Sequence, residues 1–189
     1  TSMHNHYWHY PNLKSILTKT VRKNKDVVVF ASKSAQRSAG DLFDSTVIYH
    51  GIDISAFTFS STSEDYVLYL GRVVPNKGIE DAVAAARQGG FILKVAGGSA
   101  VIPEEKASIA KNVTPYFSDK IIDMRSPDEA QRGVLYQNAK ALLFPTHIEE
   151  QFGLVAAEAM ASGTPVIAYN MGALSEVVQD GVAGFIIDP

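Results

Sequence analysis

The chain has 189 residues, 46% hydrophobic and 20% charged, which is room for one substantial α/β domain or one domain plus part of another. A formal net charge of -3 supplies no basic field to draw in a phosphate polymer, so nucleic acid is not expected as a partner. The absence of cysteine excludes disulfides and thiolate metal sites, and no apolar leader core or run of about eighteen apolar residues occurs; the cytoplasm is the expected compartment, with peripheral membrane attachment through a further N-terminal domain as the variant.

In chain order, the opening residues are polar and aromatic, with His4, His6, Trp8 and His9 close together. Apolar runs at 27–30, 47–49, 66–70, 91–95, 141–144, 166–169 and 185–187 predict strands. Most are continuous rather than alternating, which suits strands covered on both faces. Residues 50–65 are rich in Ser and Thr and lack either periodicity, so they are expected to link two domains. Helices are predicted over 79–87, stopped by Gly89 and Gly90, and over 154–162, stopped by Gly163 and Pro165. Another is predicted over 128–140, with Ser126 as cap, Pro127 in the first turn and Glu129 completing a capping box. Strands alternating with helices predict a Rossmann-like, doubly wound parallel sheet. Ligands bind such sheets beyond the carboxyl ends of the strands, so the loops after Leu70, Val95, Phe144 and Tyr169 are expected to share one crevice.

Two of those loops carry chemistry. Gly71-Arg72-Val73-Val74-Pro75-Asn76-Lys77-Gly78 places two cations and two glycines between a strand and a helix. Arg can fork onto phosphate oxygens, Lys adds a point charge, and glycine lets the backbone approach, so the loop suits a diphosphate; a solvated turn with two surface cations is the alternative. The glycine spacing is not that of a Walker loop. Glu149-Glu150-Gln151-Phe152-Gly153 opens the helix carrying Glu158, where the unpaired amides at Gly153 and Leu154 could cradle the same diphosphate. Glu158 shares a helical face with Leu154, one turn below the helix mouth, where a carboxylate can accept from ribose hydroxyls; one exposed Glu on a surface helix is the alternative.

The run Glu150-Gln151-Phe152-Gly153-Leu154-Val155-Ala156-Ala157-Glu158-Ala159-Met160-Ala161-Ser162-Gly163-Thr164-Pro165-Val166-Ile167-Ala168 closely resembles the signature of glycosyltransferase family 4, retaining enzymes built from two Rossmann-like domains in the GT-B fold. The 71–78 loop looks like that family's donor-phosphate loop. Gly172-Ala173-Leu174-Ser175-Glu176-Val177-Val178, followed by Asp180-Gly181 and Gly184, looks like its next glycine-containing segment. Residues 26–32 and 49–57 resemble the end of the acceptor domain and the crossing out of it. The expected division is therefore an acceptor-side remnant and linker over 1–57 and a nucleotide-sugar-binding domain over 58–189, truncated at its C-terminus. The resemblance implies that Gly71, Arg72 and Lys77 hold the diphosphate and that Glu158 holds the ribose. It implies that Glu150 contacts the donor sugar with the amides of Phe152 and Gly153, beside Leu154, and that the base stacks near 122–125, at Met124 and Arg125. Glu150, Arg72 and Lys77 would then be the catalytic groups in transfer of a hexose from a UDP- or GDP-sugar to a sugar, lipid or small-molecule acceptor, with retention of configuration. No DxD triplet occurs, so neither a metal nor another cofactor is expected.

Two positions depart from the family pattern: Gln151 stands where proline is common before Phe-Gly, and His50 where asparagine is common. Neither the base nor the sugar of the donor is named by the resemblance. Family members begin with roughly another hundred residues of acceptor domain and continue past a segment like 185–189, so the chain is expected to be a fragment whose partner is the rest of that domain. His4 resembles an acceptor-domain histidine that faces the donor sugar, and equally a polar aromatic segment; as metal ligands, His4, His6 and His9 lack a carboxylate at useful spacing and a fourth donor. The competing functions are a nucleotide-sugar-binding module without turnover and another GT-B chemistry such as epimerisation. Hydride transfer is disfavoured, because no Gly-x-Gly-x-x-Gly follows a strand.

Overall fold

A computed structural model of the protein describes residues 27–40 and 44–189. The histidine-rich opening, with His4, His6, Trp8 and His9, lies outside the described residues.

The first described unit is a small β–α–β turn of chain. Strands β1 (Val28–Phe30) and β2 (Ser45–Val47) pair in parallel, and helix α1 (Lys33–Ala39) connects them. Val28, Phe30, Ala35 and Ala39 form its buried core, with Val47 packed against them. Ser32 caps α1 by accepting from the Ala35 amide at 3.1 Å, as a short hydroxyl at the N-cap does. Beyond β2 the chain crosses through a short 3-10 turn at Ile54–Ala56, and Phe57 then meets the Tyr136 ring edge-on at 6.3 Å.

The larger unit holds, among the described residues, a six-stranded parallel sheet. In chain order its elements are β3 (Val67–Leu70), α2 (Ile79–Gly89), β4 (Leu93–Ala96), α3 (Pro103–Asn112), β5 (Ile121–Arg125), α4 (Glu129–Asn138), β6 (Ala141–Phe144), α5 (Leu154–Ala161), β7 (Val166–Tyr169), α6 (Leu174–Val177) and β8 (Gly184–Ile187). Spatially the strands run β5-β4-β3-β6-β7-β8, so the winding direction reverses between β3 and β6. Alternation along β3 shows why both faces are covered. Leu68 and Leu70 join Leu142, Phe144, Tyr136, Ala156 and Leu174 on one face, while Tyr69 joins Ile79, Val83, Val95 and Ile121 on the other. Burying each such Leu or Val stabilises the fold by about 1.5–3 kcal/mol relative to exposure. Helix α2 contributes Ile79, Ala82, Val83 and Ala86, the i, i+3, i+4, i+7 stripe of an amphipathic helix.

The structure corrects several sequence expectations. The second strand spans Ser45–Val47 rather than 47–49, leaving Ile48, Tyr49 and His50 exposed. β5 was not expected: beyond Ile121 it is progressively exposed and carries Asp123 and Arg125, as an edge strand can. α3 was not expected either, since it buries no residue fully, and neither was α1. The cap of α4 is Asp128, which accepts from the Gln131 amide at 2.8 Å while Gln131 returns a bond from the Asp128 amide; neither Ser126 nor Glu129 closes the box. No described helix is long and apolar enough to cross a membrane.

Candidate functional site

The reversal between β3 and β6 opens a crevice at the strands' carboxyl ends, the usual ligand position in an open α/β sheet. Its first wall is the 71–78 loop. Tyr69, on β3, donates from its hydroxyl to the carbonyls of Arg72 at 2.9 Å and Lys77 at 3.3 Å, pinning the loop at both ends. Burial pushes the Tyr69 phenol well above its ordinary range, so it remains a donor at any working pH. The Gly71 amide donates to Ala96 and the Val73 amide to Gly98, tying the loop to the one after β4. Gly78 closes the loop with φ +73, and any Cβ there would run into the Pro145 carbonyl, so only glycine lets the two walls approach.

The second wall follows β6. His147 donates its amide to the Asn76 carbonyl at 3.0 Å, fastening this loop to the first. His147 is also in contact with Asp81 of α2 at 2.7 Å, and Tyr169 donates to the same carboxylate at 3.0 Å. The wall then presents Glu150, which forms an ion pair with Lys77, both side chains being mostly buried. Next comes α5, entered through Gly153 with φ +91; the amides of Leu154 and Val155, at its start, find no hydrogen-bond partner among the described residues. A helix start of this kind is an anion site in waiting.

Between the walls lies a cavity of about 300 Å³, lined by Gly71, Arg72, Lys77, Glu150, Phe152, Gly153 and Leu154. These are seven of the positions expected from sequence. His50, Gln151 and Val155 complete much of the lining. Two cations face one carboxylate there, and the Arg72 guanidinium makes no hydrogen bond or ion pair among the described residues. The remaining expected residues fall elsewhere. Glu158 sits one turn down α5, outside the cavity lining, and accepts from the Tyr136 hydroxyl at 2.8 Å. Burial first, and the Glu158 carboxylate second, hold the Tyr136 phenol far above its ordinary range. Arg125 lines another cavity of about 350 Å³ with Val73, Gly97, Ser99 and Asp123, which shares no lining residue with the first. It is the one non-glycine residue with positive φ among the described residues, at +56, and its amide is held by Asp123 at 2.8 Å. Met124 faces a third hollow, beside Tyr66, Lys94 and Leu135. Sequence reasoning missed Tyr69 and Tyr136 as the groups that hold the loop and Glu158, because an aromatic in an apolar run gives no sign of where its hydroxyl ends. No cluster of three or more metal-ligating side chains occurs among the described residues.

Residues 53–189 match the family described as Glycosyl transferases group 1. The D-inositol 3-phosphate glycosyltransferase of Segniliparus rotundus is 36% identical over 140 residues, covering 67% of this chain and 29% of that protein. The glycogen synthase of Mycobacterium tuberculosis is 30% identical over 185 residues, 88% of this chain and 43% of that protein, so the chain spans less than half of either relative. Among solved structures, sucrose-phosphate synthase from Thermosynechococcus elongatus matches with a TM-score of 0.80 at 29% identity, covering 94% of this chain and 49% of that one. Anabaena HepE in complex with UDP-glucose matches with a TM-score of 0.83 over 100% of this chain and 57% of that one, at an identity of 20% that speaks to fold alone. With a doubly wound sheet of the GT-B type and a family match over most of its length, the chain belongs to the group 1 glycosyltransferases.

Proposed function

We propose that the crevice between the 71–78 and 145–153 loops binds the diphosphate and sugar of a nucleoside diphosphate hexose, and that this chain is the donor-binding part of a retaining glycosyltransferase. One observation carries this reading: an Arg72 guanidinium and a helix start that have no hydrogen-bond partner among the described residues converge with the Lys77–Glu150 pair on one cavity at the point where the sheet reverses. That is a site with surplus positive potential and fixed N–H donors, which suits a diphosphate. The two relatives are named a D-inositol 3-phosphate glycosyltransferase and a glycogen synthase, and HepE, of the same fold, was solved in complex with UDP-glucose.

The placement supports the following chemistry. A β-phosphate entering the crevice competes for Lys77, which frees a Glu150 oxygen to accept from sugar hydroxyls. Arg72 and the α5 amides take the remaining phosphate charge. In a front-face displacement the bond from the anomeric carbon to the phosphate oxygen breaks while the acceptor oxygen bonds to the same face. The acceptor's proton passes to the departing phosphate. Arg72 and Lys77 stabilise the charge growing there, about 2–4 kcal/mol each by comparison with other preorganised donors. In this reading the nucleoside occupies the second cavity, lined by Arg125, with Glu158 toward the ribose.

The test is a calorimetric panel of UDP, GDP and ADP with and without an attached hexose, in the presence of EDTA. One base should bind, and Arg72→Ala should weaken it roughly ten- to a hundredfold, as expected for loss of charge-assisted hydrogen bonds. Failure of every nucleotide to bind, or equal affinity in Arg72→Ala, would count against this function.

A further inference from the structure

Glu176 lies outside the cavity, yet its carboxylate is the main polar tie between the two units. It lies on α6, is only 14% exposed, and reaches across 142 residues to accept from the Ser34 amide at 2.6 Å. It also accepts from the Lys33 amide at 2.9 Å and the Tyr49 hydroxyl at 2.9 Å, with Arg37 at 3.5 Å. Lys33 and Ser34 open α1, and the third amide of that turn is already taken by Ser32. The carboxylate thus completes the capping of α1 from another part of the molecule, where both the helix dipole and charge-assisted bonds favour it.

The same segment bears on the candidate site from behind. Ala173 donates its amide to the Glu150 carbonyl at 2.9 Å, and Gly172, with φ +64, lies so close to the Glu150 backbone that no Cβ could be accommodated. On the other side, Tyr49, held by its hydroxyl, sets its ring 6.2 Å from that of Phe152, and His50 meets Phe152 edge-on at 5.5 Å. His50 and Phe152 are both cavity walls. One carboxylate therefore grips α1 and Tyr49 while its own segment braces the Glu150 backbone.

We propose that Glu176 is a positioning residue of the crevice: by gripping α1 and Tyr49 it fixes His50 against Phe152 and so makes the crossing segment a wall of the cavity. That His50 then faces a nucleotide sugar rests on the proposed function; that Glu176 places it does not. The Tyr49 phenol is raised above its ordinary range chiefly by its bond to Glu176, consistent with a contact in which the proton stays on the tyrosine.

The experiment is NMR on the whole chain and on Glu176→Ala, Glu176→Gln and Tyr49→Phe, following amide exchange at Lys33 and Ser34 and the imidazole signals of His50. Glu176→Ala should speed exchange at both amides by about tenfold or more, the ratio for one net hydrogen bond, and shift the His50 signals away from the influence of the Phe152 ring. Glu176→Gln should fall between Glu176→Ala and the parent chain. Tyr49→Phe should move His50 and leave the two amides protected, so the placement is decided even if Glu176→Ala fails to fold. Unchanged exchange in the Glu176 variants, or an unmoved His50 in Tyr49→Phe, overturns the proposal. UDP-glucose is the probe for the functional arm: its affinity should fall about three- to tenfold in Glu176→Ala, the loss expected when a neighbouring wall becomes mobile. If the parent chain binds no UDP-glucose, GDP-glucose and ADP-glucose take its place; if it binds none of the three, the donor assignment fails and the exchange and His50 signals still decide the positioning role, and if it binds one and Glu176→Ala binds that one equally, the positioning role fails alone.

Discussion

Lys77 and Glu150 are separated by 73 residues in sequence and meet as an ion pair because each ends a wall of one crevice. Their partnership was not legible in the sequence, although each residue type in its loop was. Glu158 shows the converse. Its place on α5 followed from helical spacing, but its tie to Tyr136 depends on how α4 packs against α5, which no local pattern records. The two glutamates should separate experimentally. Glu158→Gln should lower nucleoside diphosphate affinity by about tenfold, the scale of one hydrogen bond to a charged group, and Tyr136→Phe should give a smaller loss of the same kind. Glu150→Gln should leave nucleoside diphosphate binding nearly intact and blunt discrimination among attached sugars. Calorimetry with a diphosphate and its sugar ester checks this, and equal effects of both glutamate variants on the bare diphosphate would show one of them misplaced.

At the scale of elements, the strands that carry the crevice were readable because they are buried on both faces and so run as continuous apolar stretches; Val67–Leu70, Ala141–Phe144 and Val166–Tyr169 fall within a residue of expectation. β5 and α3 were not readable, because exposure lets polar residues stand in them and erases the period. The start of α4 was misassigned for a different reason. Ser126, Asp128 and Glu129 offer several competing caps in a short stretch, and only backbone geometry selects Asp128. Asp128→Ala should therefore cost about 1 kcal/mol of stability, as loss of an N-cap does, whereas Ser126→Ala should cost nearly nothing. Urea denaturation of the two variants measures the difference, and the reverse ranking would restore Ser126 as the cap.

For the molecule as a whole, the doubly wound order places the 71–78 and 145–153 loops side by side at the reversal of the sheet, and the small first unit reaches the same crevice through Tyr49 and His50. The family signature over 150–168 made one wall legible from sequence. The contribution of the first unit was not, since it depends on a carboxylate more than a hundred residues away. The most direct measurement is a titration of the isotope-labelled chain with UDP and with GDP, following backbone amide shifts. With the base that binds, the largest shifts should cluster at Gly71, Arg72, Lys77, Gly153, Leu154 and Val155, with a second group at Gly97 and Arg125, where the nucleoside is proposed to sit. Shifts concentrated instead on the opposite, amino-terminal edge of the sheet, or in the hollow beside Met124 and Lys94, would contradict the assignment of the crevice as the donor site.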